Sequence, residues 1–275
     1  MQSRRVRRCL SMADATHPAI RFCAVEKWYG TRDEPVYALA ATDLSVAQAE
    51  LVVLLGSSGC GKTTMLRLIG GLIAPTSGAI AIEGQDLWSR GDRQGPALAD
   101  LGMVFQEANL FPWLSIEENI ALPLELKGVS KVARRERARA LARLVGIEGF
   151  DKRWPRELSG GMRQRAAIAR ALSYDPRILL MDEPFGALDA MTREAMNLEL
   201  QRIWLATRKT IVLVTHSIAE AVFLGDRILL LSPRPGRVDM EVHVPFARPR
   251  EPDLQSTPEF QAIVRQLRHR LNEMS

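Results

Sequence analysis

The chain has 275 residues, and with 47% hydrophobic and 25% charged residues its composition is typical of a globular protein with a buried core. Its longest apolar runs have about five residues, which excludes a membrane-spanning helix of about 20 residues. Four arginines among the first ten residues account for most of the formal net charge of +5. The nearly neutral remainder therefore gives little support for a nucleic-acid partner.

The first 19 residues are basic and lack the apolar core of a secretory signal, so we expect a disordered tail there. The three cysteines, Cys9, Cys23 and Cys60, are odd in number and far apart in the sequence. This spacing predicts neither a disulfide framework nor a zinc site, and it favours a reducing compartment. The sequence therefore predicts a cytoplasmic protein, which could act at a membrane only through a partner.

Short apolar runs recur along the chain with helix-compatible stretches between them. The runs LVVLL, ILLM, IVLV and RILLL are continuous, which is typical of strands buried on both faces of a parallel sheet. This alternation predicts an α/β architecture with helices covering the sheet. The predicted strands are residues 20–25, 37–46, 51–55, 79–82, 102–105, 178–181, 211–214 and 227–231.

Two regions of the chain have a helical pattern. After residue 106 the pattern predicts an inserted helical subdomain, at about residues 107–172, with Ser130 as the N-cap of a helix over 131–145. Thr257 is expected to begin a final amphipathic helix after proline-rich connectors. The predicted parts of the chain are a tail at 1–19, a single core domain at 20–249, and a linker with a helix at 250–275.

Residues 56–63, GSSGCGKT, match the P-loop pattern residue for residue, directly after the run LVVLL and before the helix-compatible TMLRLI. Backbone N–H groups of such a loop surround phosphates, the lysine adds a positive charge, and the threonine hydroxyl can bind Mg²⁺. The cysteine either has a lowered pKa at the helix N-terminus or is a small side chain turned away from phosphate. The predicted nucleotide-binding residues of this loop are Gly56, Ser57, Ser58, Gly59, Cys60, Gly61, Lys62, Thr63 and Thr64.

Four polar residues follow buried strands and are candidates for catalysis. Asp182, at the end of ILLM, suits a Mg²⁺ ligand, and Glu183 is placed to orient or deprotonate an attacking water, worth roughly 10²–10⁴ in rate. Gln106 could contact Mg²⁺ or water, or simply cap its strand. His216 could bind a γ-phosphate or have a structural role. We predict Glu183, His216 and Gln106 as catalytic residues and Thr63, Gln106 and Asp182 as metal ligands.

Near the N-terminus, Tyr29 could stack on a nucleotide base, and Trp28 is the other candidate for this role. Alternatively, either residue could pack in the core. A second phosphate-binding device lies at Ser159, Gly160 and Gly161, which precede a helix-forming run at 162–172. The alternative is a glycine turn that enters an ordinary helix. Because the chain already contains a complete P-loop, this second device predicts a dimer.

The P-loop, Gln106, LSGGMRQR, LLMDEP, the Ala187-Leu188-Asp189 turn and His216 together resemble the ATP-binding subunit of ABC transporters, from residue 20 to about 249. The resemblance implies an α/β P-loop NTPase (RecA-like) core with a mostly parallel sheet, an N-terminal antiparallel β subdomain and an inserted α-helical subdomain. It also implies that the chain hydrolyses ATP with Mg²⁺.

Partners and residue roles follow from the same resemblance. It implies a head-to-tail homodimer in which the Ser159–Gly161 turn of one copy binds the γ-phosphate of ATP on the other copy's P-loop. Tyr29 resembles the residue that stacks on adenine, and Gln106 the one that links nucleotide to the membrane partner. The remaining roles are catalytic base for Glu183, dimer-interface turn for Asp189 and switch histidine for His216.

Longer phrases, such as FQEANLFPWLSIEENIALPLEL and THSIAEAVFLGDRILLLSPRPGRV, resemble the nitrate/sulfonate/taurine importer class. This implies an importer for a small solute, an anion such as nitrate, sulfonate, taurine or bicarbonate. The implied partners are integral membrane permease subunits and, indirectly, a solute-binding protein, with the chain at the cytoplasmic face of the inner membrane. The alternative is a nucleic-acid-associated ABC ATPase, but the long coiled coil or second cassette typical of that class is absent from the sequence.

Overall fold

The structure is a computed structural model that describes residues 17–31, 34–89 and 92–274. Most of the predicted basic tail, residues 1–16, lies outside the described residues. The strands are β1 Ile20–Gly30, β2 Pro35–Val46, β3 Leu51–Leu55, β4 Ser77–Ile82, β5 Gln85–Asp86, β6 Trp88–Ser89, β7 Asp92–Arg93, β8 Leu101–Val104, β9 Ile178–Asp182, β10 Thr210–Thr215, β11 Arg227–Leu231 and β12 Val238–His243.

The helices alternate with these strands along most of the chain. They are α1 Lys62–Ile69, α2 Gly95–Ala99, α3 Ile116–Leu126, α4 Lys131–Leu144, α5 Gly160–Leu172, α6 Ala190–Thr207, α7 Ile218–Leu224 and α8 Pro258–Glu273, with short 3-10 helices at Pro155–Glu157 and Pro252–Ser256. Among the described helices, none has the length and hydropathy needed to cross a bilayer.

Two sheets form the framework. The larger sheet has the order β12-β11-β3-β10-β9-β8, in which β12 is antiparallel and all other neighbours are parallel. The smaller sheet, β2-β1-β4-β5, is antiparallel. The predicted α/β fold, with a mostly parallel sheet and an N-terminal antiparallel sheet, is confirmed.

Each face of the larger sheet packs in its own hydrophobic core. On β3, Leu51, Val53 and Leu55 belong to one core and Val52 and Leu54 to the other. Because successive side chains of a strand point to opposite faces, a strand between two cores must be apolar throughout. This is why the continuous run LVVLL predicts a central parallel strand.

The region between β8 and β9 is helical, as predicted, and its helices α3, α4 and α5 contact one another. Ser115 caps α3 with a full capping box, in which its hydroxyl and the Glu118 carboxylate bind each other's backbone N–H. Ser130 caps α4 as predicted, accepting a hydrogen bond from the Ala133 N–H at 3.4 Å. The α5 helix packs against β8, the edge strand of the larger sheet, and so connects the helical region to the sheet.

The C-terminal segment packs on the core. In α8 the apolar side predicted from the sequence is buried, with Phe260, Val264 and Leu267 all in the core that includes β3. Arg250, before α8, is also buried, and its guanidinium donates hydrogen bonds to the carbonyls of residues at the end of α7 and of Phe246. Burial lowers the pKa of Arg250 to about 10, and its donors satisfy carbonyls left free at a helix C-terminus.

Replacing Arg250 by alanine should therefore destabilise the fold by about 3 kcal/mol, because three buried carbonyl groups and a partly buried one would lose a donor. The measurement is the free energy of unfolding from urea titration, with the slope of the transition unchanged. The matched control is Arg265→Ala, since Arg265 is exposed on α8, and it should leave the unfolding midpoint where it is. A decrease in the free energy of unfolding of less than about 0.5 kcal/mol for Arg250→Ala would contradict this prediction.

The cysteines give one correction to the sequence analysis. Cys60 is free and buried, but Cys23 is disulfide-bonded, whereas the spacing of the cysteines predicts no disulfide framework. Spacing along a chain says little about this, because whether two cysteines can bond depends on the distance between their Cα atoms in the fold.

Candidate active site

The predicted catalytic residues meet at one edge of the larger sheet. The P-loop follows β3, Gln106 follows β8, Asp182 ends β9 and His216 follows β10. These four strands are adjacent and parallel in the order β3-β10-β9-β8, so their carboxyl ends lie side by side. In open α/β sheets this is the edge at which ligands bind.

The P-loop wraps into α1 with a backbone that only glycine allows at its last turn. Gly61 has φ of +104°, and a Cβ there would lie 2.8 Å from the carbonyl oxygen of Ala38. Lys62 is buried, and its ammonium donates hydrogen bonds to the carbonyls of Gly56 at 2.8 Å and Ser57 at 2.9 Å. These two hydrogen bonds hold the loop in a curve around the Lys62 ammonium, whose positive charge lies on the concave side of the loop.

Cys60 is turned into the protein within this loop. Its side chain is 1% exposed, and its sulfur lies 3.9 Å from the Lys62 ammonium. Of the two interpretations left open by the sequence, this placement favours the small side chain that points away from a bound phosphate.

Thr63 and Asp182 are two of the three predicted metal ligands, the third being Gln106, and they are in direct contact. The Thr63 hydroxyl donates a hydrogen bond to Asp182 Oδ1 at 3.1 Å. Burial raises the pKa of Asp182, and the Thr63 hydrogen bond lowers it in part. A hydroxyl and a carboxylate are the oxygen ligands that Mg²⁺ prefers, and it usually completes its shell with water and phosphate oxygens. The side chains present therefore fit a Mg²⁺ site.

Glu183 and His216 are in direct contact, with Glu183 Oε2 2.9 Å from His216 Nδ1. Glu183 has φ of +45°, a strained value for a residue with a side chain, and its backbone N–H is held by the Val214 carbonyl at 3.0 Å. The strand β10 therefore holds the turn that presents this carboxylate, and the neighbouring histidine follows the same strand.

A buried carboxylate that the sequence analysis missed holds the backbone around His216. The Thr215 hydroxyl donates to Glu220 and accepts from the Ser217 N–H at 3.0 Å, while the Ser217 hydroxyl accepts from the Glu220 N–H at 3.3 Å. Burial raises the pKa of Glu220. The spacing S-x-x-E after the strand, typical of a helix N-terminus, is a signal that could have revealed this residue.

Gln106 lies near Glu183 across Gly186. A Cβ on Gly186 would stand 3.5 Å from Gln106 Nε2 and 3.5 Å from Glu183 Oε2. The structure therefore brings the three residues predicted to be catalytic to one place, with Glu183 in contact with His216 and Gln106 on the other side of Gly186.

A cleft of about 330 Å³ opens over the P-loop. Tyr29 lines this cleft and is 42% exposed, whereas Trp28 does not line it. The placement favours Tyr29 over Trp28 as the residue that stacks on a base. Two further lining residues, Val36 and Ala38, and the cation Arg234 escaped the sequence analysis. They come from β2 and from the turn between β11 and β12, which are distant from the P-loop in sequence.

The turn at Ser159 to Gly161, the second predicted phosphate-binding site, lies outside the P-loop cleft. Ser159 is the N-cap of α5 and accepts a hydrogen bond from the Met162 N–H at 3.3 Å. Gly160 lines a separate cavity of about 440 Å³ together with Gln106 and Leu188, and none of Ser159, Gly160 or Gly161 lines the P-loop cleft. The two devices therefore do not share one site within a single chain.

Asp189 lies beside this device. It caps α6, accepting hydrogen bonds from the Thr192 N–H at 3.0 Å and the Thr192 hydroxyl at 2.6 Å, which hold the pKa of its carboxyl below the usual range. A Cβ on Gly161 would lie 3.0 Å from the Thr192 side chain. The start of α5 and the Asp189 turn thus form one continuous surface.

Comparison with known proteins agrees with this geometry. Residues 39–186 match the family model described as ABC transporter. The taurine import ATP-binding protein TauB of Burkholderia pseudomallei (strain 1710b) is 47% identical over 230 residues, which are 83% of this chain and 86% of TauB. The uncharacterized ABC transporter ATP-binding protein MJ0412 of Methanocaldococcus jannaschii is also 47% identical, over 78% of each chain.

Solved structures show the same similarity. The ATP-binding cassette MJ0796, in a dimeric post-hydrolysis state bound to ADP and Pi, is 36% identical with a TM-score of 0.71, covering 83% of this chain and 100% of its own. The protein cbiO1 from Clostridium perfringens, part of the ABC transporter complex cbiONQ, has a TM-score of 0.75 at 22% identity over 94% of this chain and 97% of its own, so this likeness concerns the fold alone.

Proposed function

Because the chain belongs to the ABC transporter family, we propose that it is the ATP-hydrolysing subunit of an importer for a small anionic solute. The observation that carries the proposal is the 47% identity, over 83% of the chain, to a taurine import ATP-binding protein. The family resemblance predicted from the motifs is confirmed. The solute, an anion such as taurine, another sulfonate, nitrate or bicarbonate, belongs to the proposal.

The chain is an ATPase, as its family and the cassette of known structure indicate. We place the polyphosphate of ATP in the P-loop cleft and the adenine against Tyr29. Thr63 and Asp182 would hold Mg²⁺, which neutralises charge on the phosphate oxygens when it is bound. Lys62 contributes its positive charge from inside the loop.

Hydrolysis then requires an activated water. In this proposal, Glu183 takes a proton from the water as its oxygen forms the bond to the γ-phosphorus, and ADP leaves with the bridging oxygen. The contact of 2.9 Å with His216 orients the carboxylate. Nδ1 of His216 contacts Glu183, and in this proposal the other ring nitrogen, Nε2, faces a phosphate oxygen.

The active unit is proposed to be a head-to-tail dimer. The support is that the turn at Ser159 to Gly161 has the geometry of an anion site at a helix N-terminus but does not line its own chain's cleft. A second copy would bring its own turn over the ATP, and the Asp189 turn would lie at the same interface. ATP binding would close this dimer and hydrolysis would reopen it.

The permease is proposed to dock at the cavity of about 440 Å³ that Gln106 and Leu110 line. The turn beside it exposes Trp113, which is 66% exposed and packs on Phe111 with ring centroids 5.4 Å apart. Asn119 is buried and fixes this turn through hydrogen bonds to both backbone groups of Phe111. An aromatic pair on a rigid, exposed turn is a suitable contact for a permease helix and would place the subunit at the cytoplasmic face of the membrane.

The test is reconstitution of the subunit with its permease and solute-binding protein. We expect ATP hydrolysis to rise when the binding protein carries one anion among taurine, alkanesulfonates, nitrate and bicarbonate, and to stay at its basal rate with the others. If the chain never purifies with a membrane protein, the importer proposal is wrong.

Replacing Trp113 by alanine should reduce this stimulation by about tenfold, because exposed aromatic anchors carry much of the energy of an interface. The basal ATPase of the isolated subunit should not change, since Trp113 lines neither cavity. The control is Val132→Ala, which shortens another exposed apolar side chain of the helical region. Equal stimulation of both variants and the unmodified protein would contradict the docking site.

A further inference from the structure

The turn between β11 and β12 reaches across the molecule and touches the P-loop. The Gly236 N–H donates to the Ala38 carbonyl at 3.0 Å, and the Ala40 N–H donates to the Gly236 carbonyl at 2.8 Å. A Cβ on Gly236 would lie only 2.0 Å from the carbonyl oxygen of Cys60. The turn is thus fixed between β2 and the phosphate-binding loop, with no room for a side chain at the contact.

Arg234 lies two residues before this contact and lines the nucleotide cleft. One of its terminal nitrogens, Nη2, is 3.9 Å from the position that a Cβ on Gly59 would take. The residue is exposed, and in the part of the chain that the structure describes its side chain has no hydrogen bond or ion pair. Its guanidinium is therefore positioned over the P-loop with its donors unused.

The electrostatic surroundings favour an anion at this guanidinium. The only acidic residue among those lining the cleft is Glu183, and its carboxylate contacts His216. The Lys62 ammonium donates to two carbonyls of the loop itself. Arg234 is thus the cation of the cleft whose donors are all available, and an arginine can donate two parallel hydrogen bonds to one phosphate.

We propose that Arg234 is a nucleotide-binding residue that contacts the polyphosphate of ATP from outside the P-loop. The inference rests on the placement of ATP in this cleft. Because Gly236 joins the same turn to β2, whose residues Val36 and Ala38 also line the cleft, phosphate contact at Arg234 would be coupled to the wall near Tyr29. The turn then acts as a clamp that joins the phosphate side and the base side of the site.

The test compares nucleotide affinities of the full chain by isothermal titration, with ATP, ADP and adenosine as probes. Replacing Arg234 by alanine should raise the Kd for ATP and ADP by about tenfold, and Arg234→Lys by less, because lysine keeps the charge but loses bidentate geometry. Adenosine affinity should stay within about twofold. The ATP effect should shrink at high salt, as expected for a charge exposed to solvent.

The matched control is Arg237→Ala, which removes the same charge from the same turn but at an exposed position that does not line the cleft. It should leave all three affinities unchanged. Both variants should keep the unfolding midpoint of the unmodified protein, because neither arginine side chain has a hydrogen bond or ion pair in the described part of the chain.

Two other outcomes would overturn the inference. Unchanged ATP affinity in Arg234→Ala shows that the guanidinium does not bind nucleotide, and an equal loss for adenosine assigns it to the base. If ATP does not bind in this cleft at all, Lys62→Ala would also leave the ATP affinity unchanged. This result distinguishes a wrong placement of ATP from a wrong role for Arg234.

Discussion

Replacing Glu183 by glutamine should lower the rate of ATP hydrolysis by roughly 10²–10⁴-fold while leaving the Kd for ATP almost unchanged. Glutamine has nearly the same shape as glutamate and can still bind His216 Nδ1, which lies 2.9 Å from the carboxylate. It cannot take a proton from water. The strained turn at this position is held by backbone contacts to β10, so the substitution should not move it.

The measurement is phosphate release at saturating ATP, together with equilibrium ATP binding. Glu259→Gln is the control, because Glu259 is an exposed carboxylate on α8, and it should hydrolyse ATP at the unmodified rate. Undiminished turnover in Glu183→Gln would remove Glu183 as the base and leave Gln106 and His216 as the remaining candidates at this edge of the sheet.

The convergence of these residues could be predicted from the sequence because of the strands that precede them. LVVLL, ILLM and IVLV are apolar throughout, which indicates parallel strands between two cores, and parallel strands end at one edge. By contrast, β12 escaped prediction. Its sequence VDMEVH alternates apolar and polar residues, as suits the antiparallel edge strand that it forms, but it has no continuous apolar run like those of the central strands.

Arg234 and the contact made by the Glu220 carboxylate could not be predicted for a different reason. Arg234 reaches the cleft only because Gly236 docks its turn on Ala38 and Cys60, and such a contact between distant segments leaves no local pattern in the sequence. Glu220 has a local signal, the S-x-x-E spacing, but its carboxylate turns to Thr215 and away from the helix end. Packing between distant segments therefore decides the role of Arg234, and a short-range contact with Thr215 decides that of Glu220.

Because Ser159 does not line the P-loop cleft of its own chain, a substitution there tests whether ATP is hydrolysed between two copies of the chain. Ser159→Asp should lower ATP hydrolysis by roughly 100-fold or more, because a carboxylate beside the γ-phosphate of the partner's ATP would repel it. Aspartate is as good an N-cap as serine, so α5 should stay intact. Ser159→Asn is the neutral control of equal shape and should keep most of the activity. ATP binding to the isolated chain should be unaffected in both.

Mixing two inactive variants provides the sharper test of the dimer. Lys62→Ala damages only the P-loop and Ser159→Asp only the second device, so a mixed dimer contains one site with both intact parts. At equal concentrations, random pairing makes about half of the dimers mixed, so about a quarter of all sites are intact. Activity should therefore reappear on mixing and rise with protein concentration. If each chain used its own Ser159 turn, every site in the mixture would carry a defect, and hydrolysis would stay at the sum of the two separate rates.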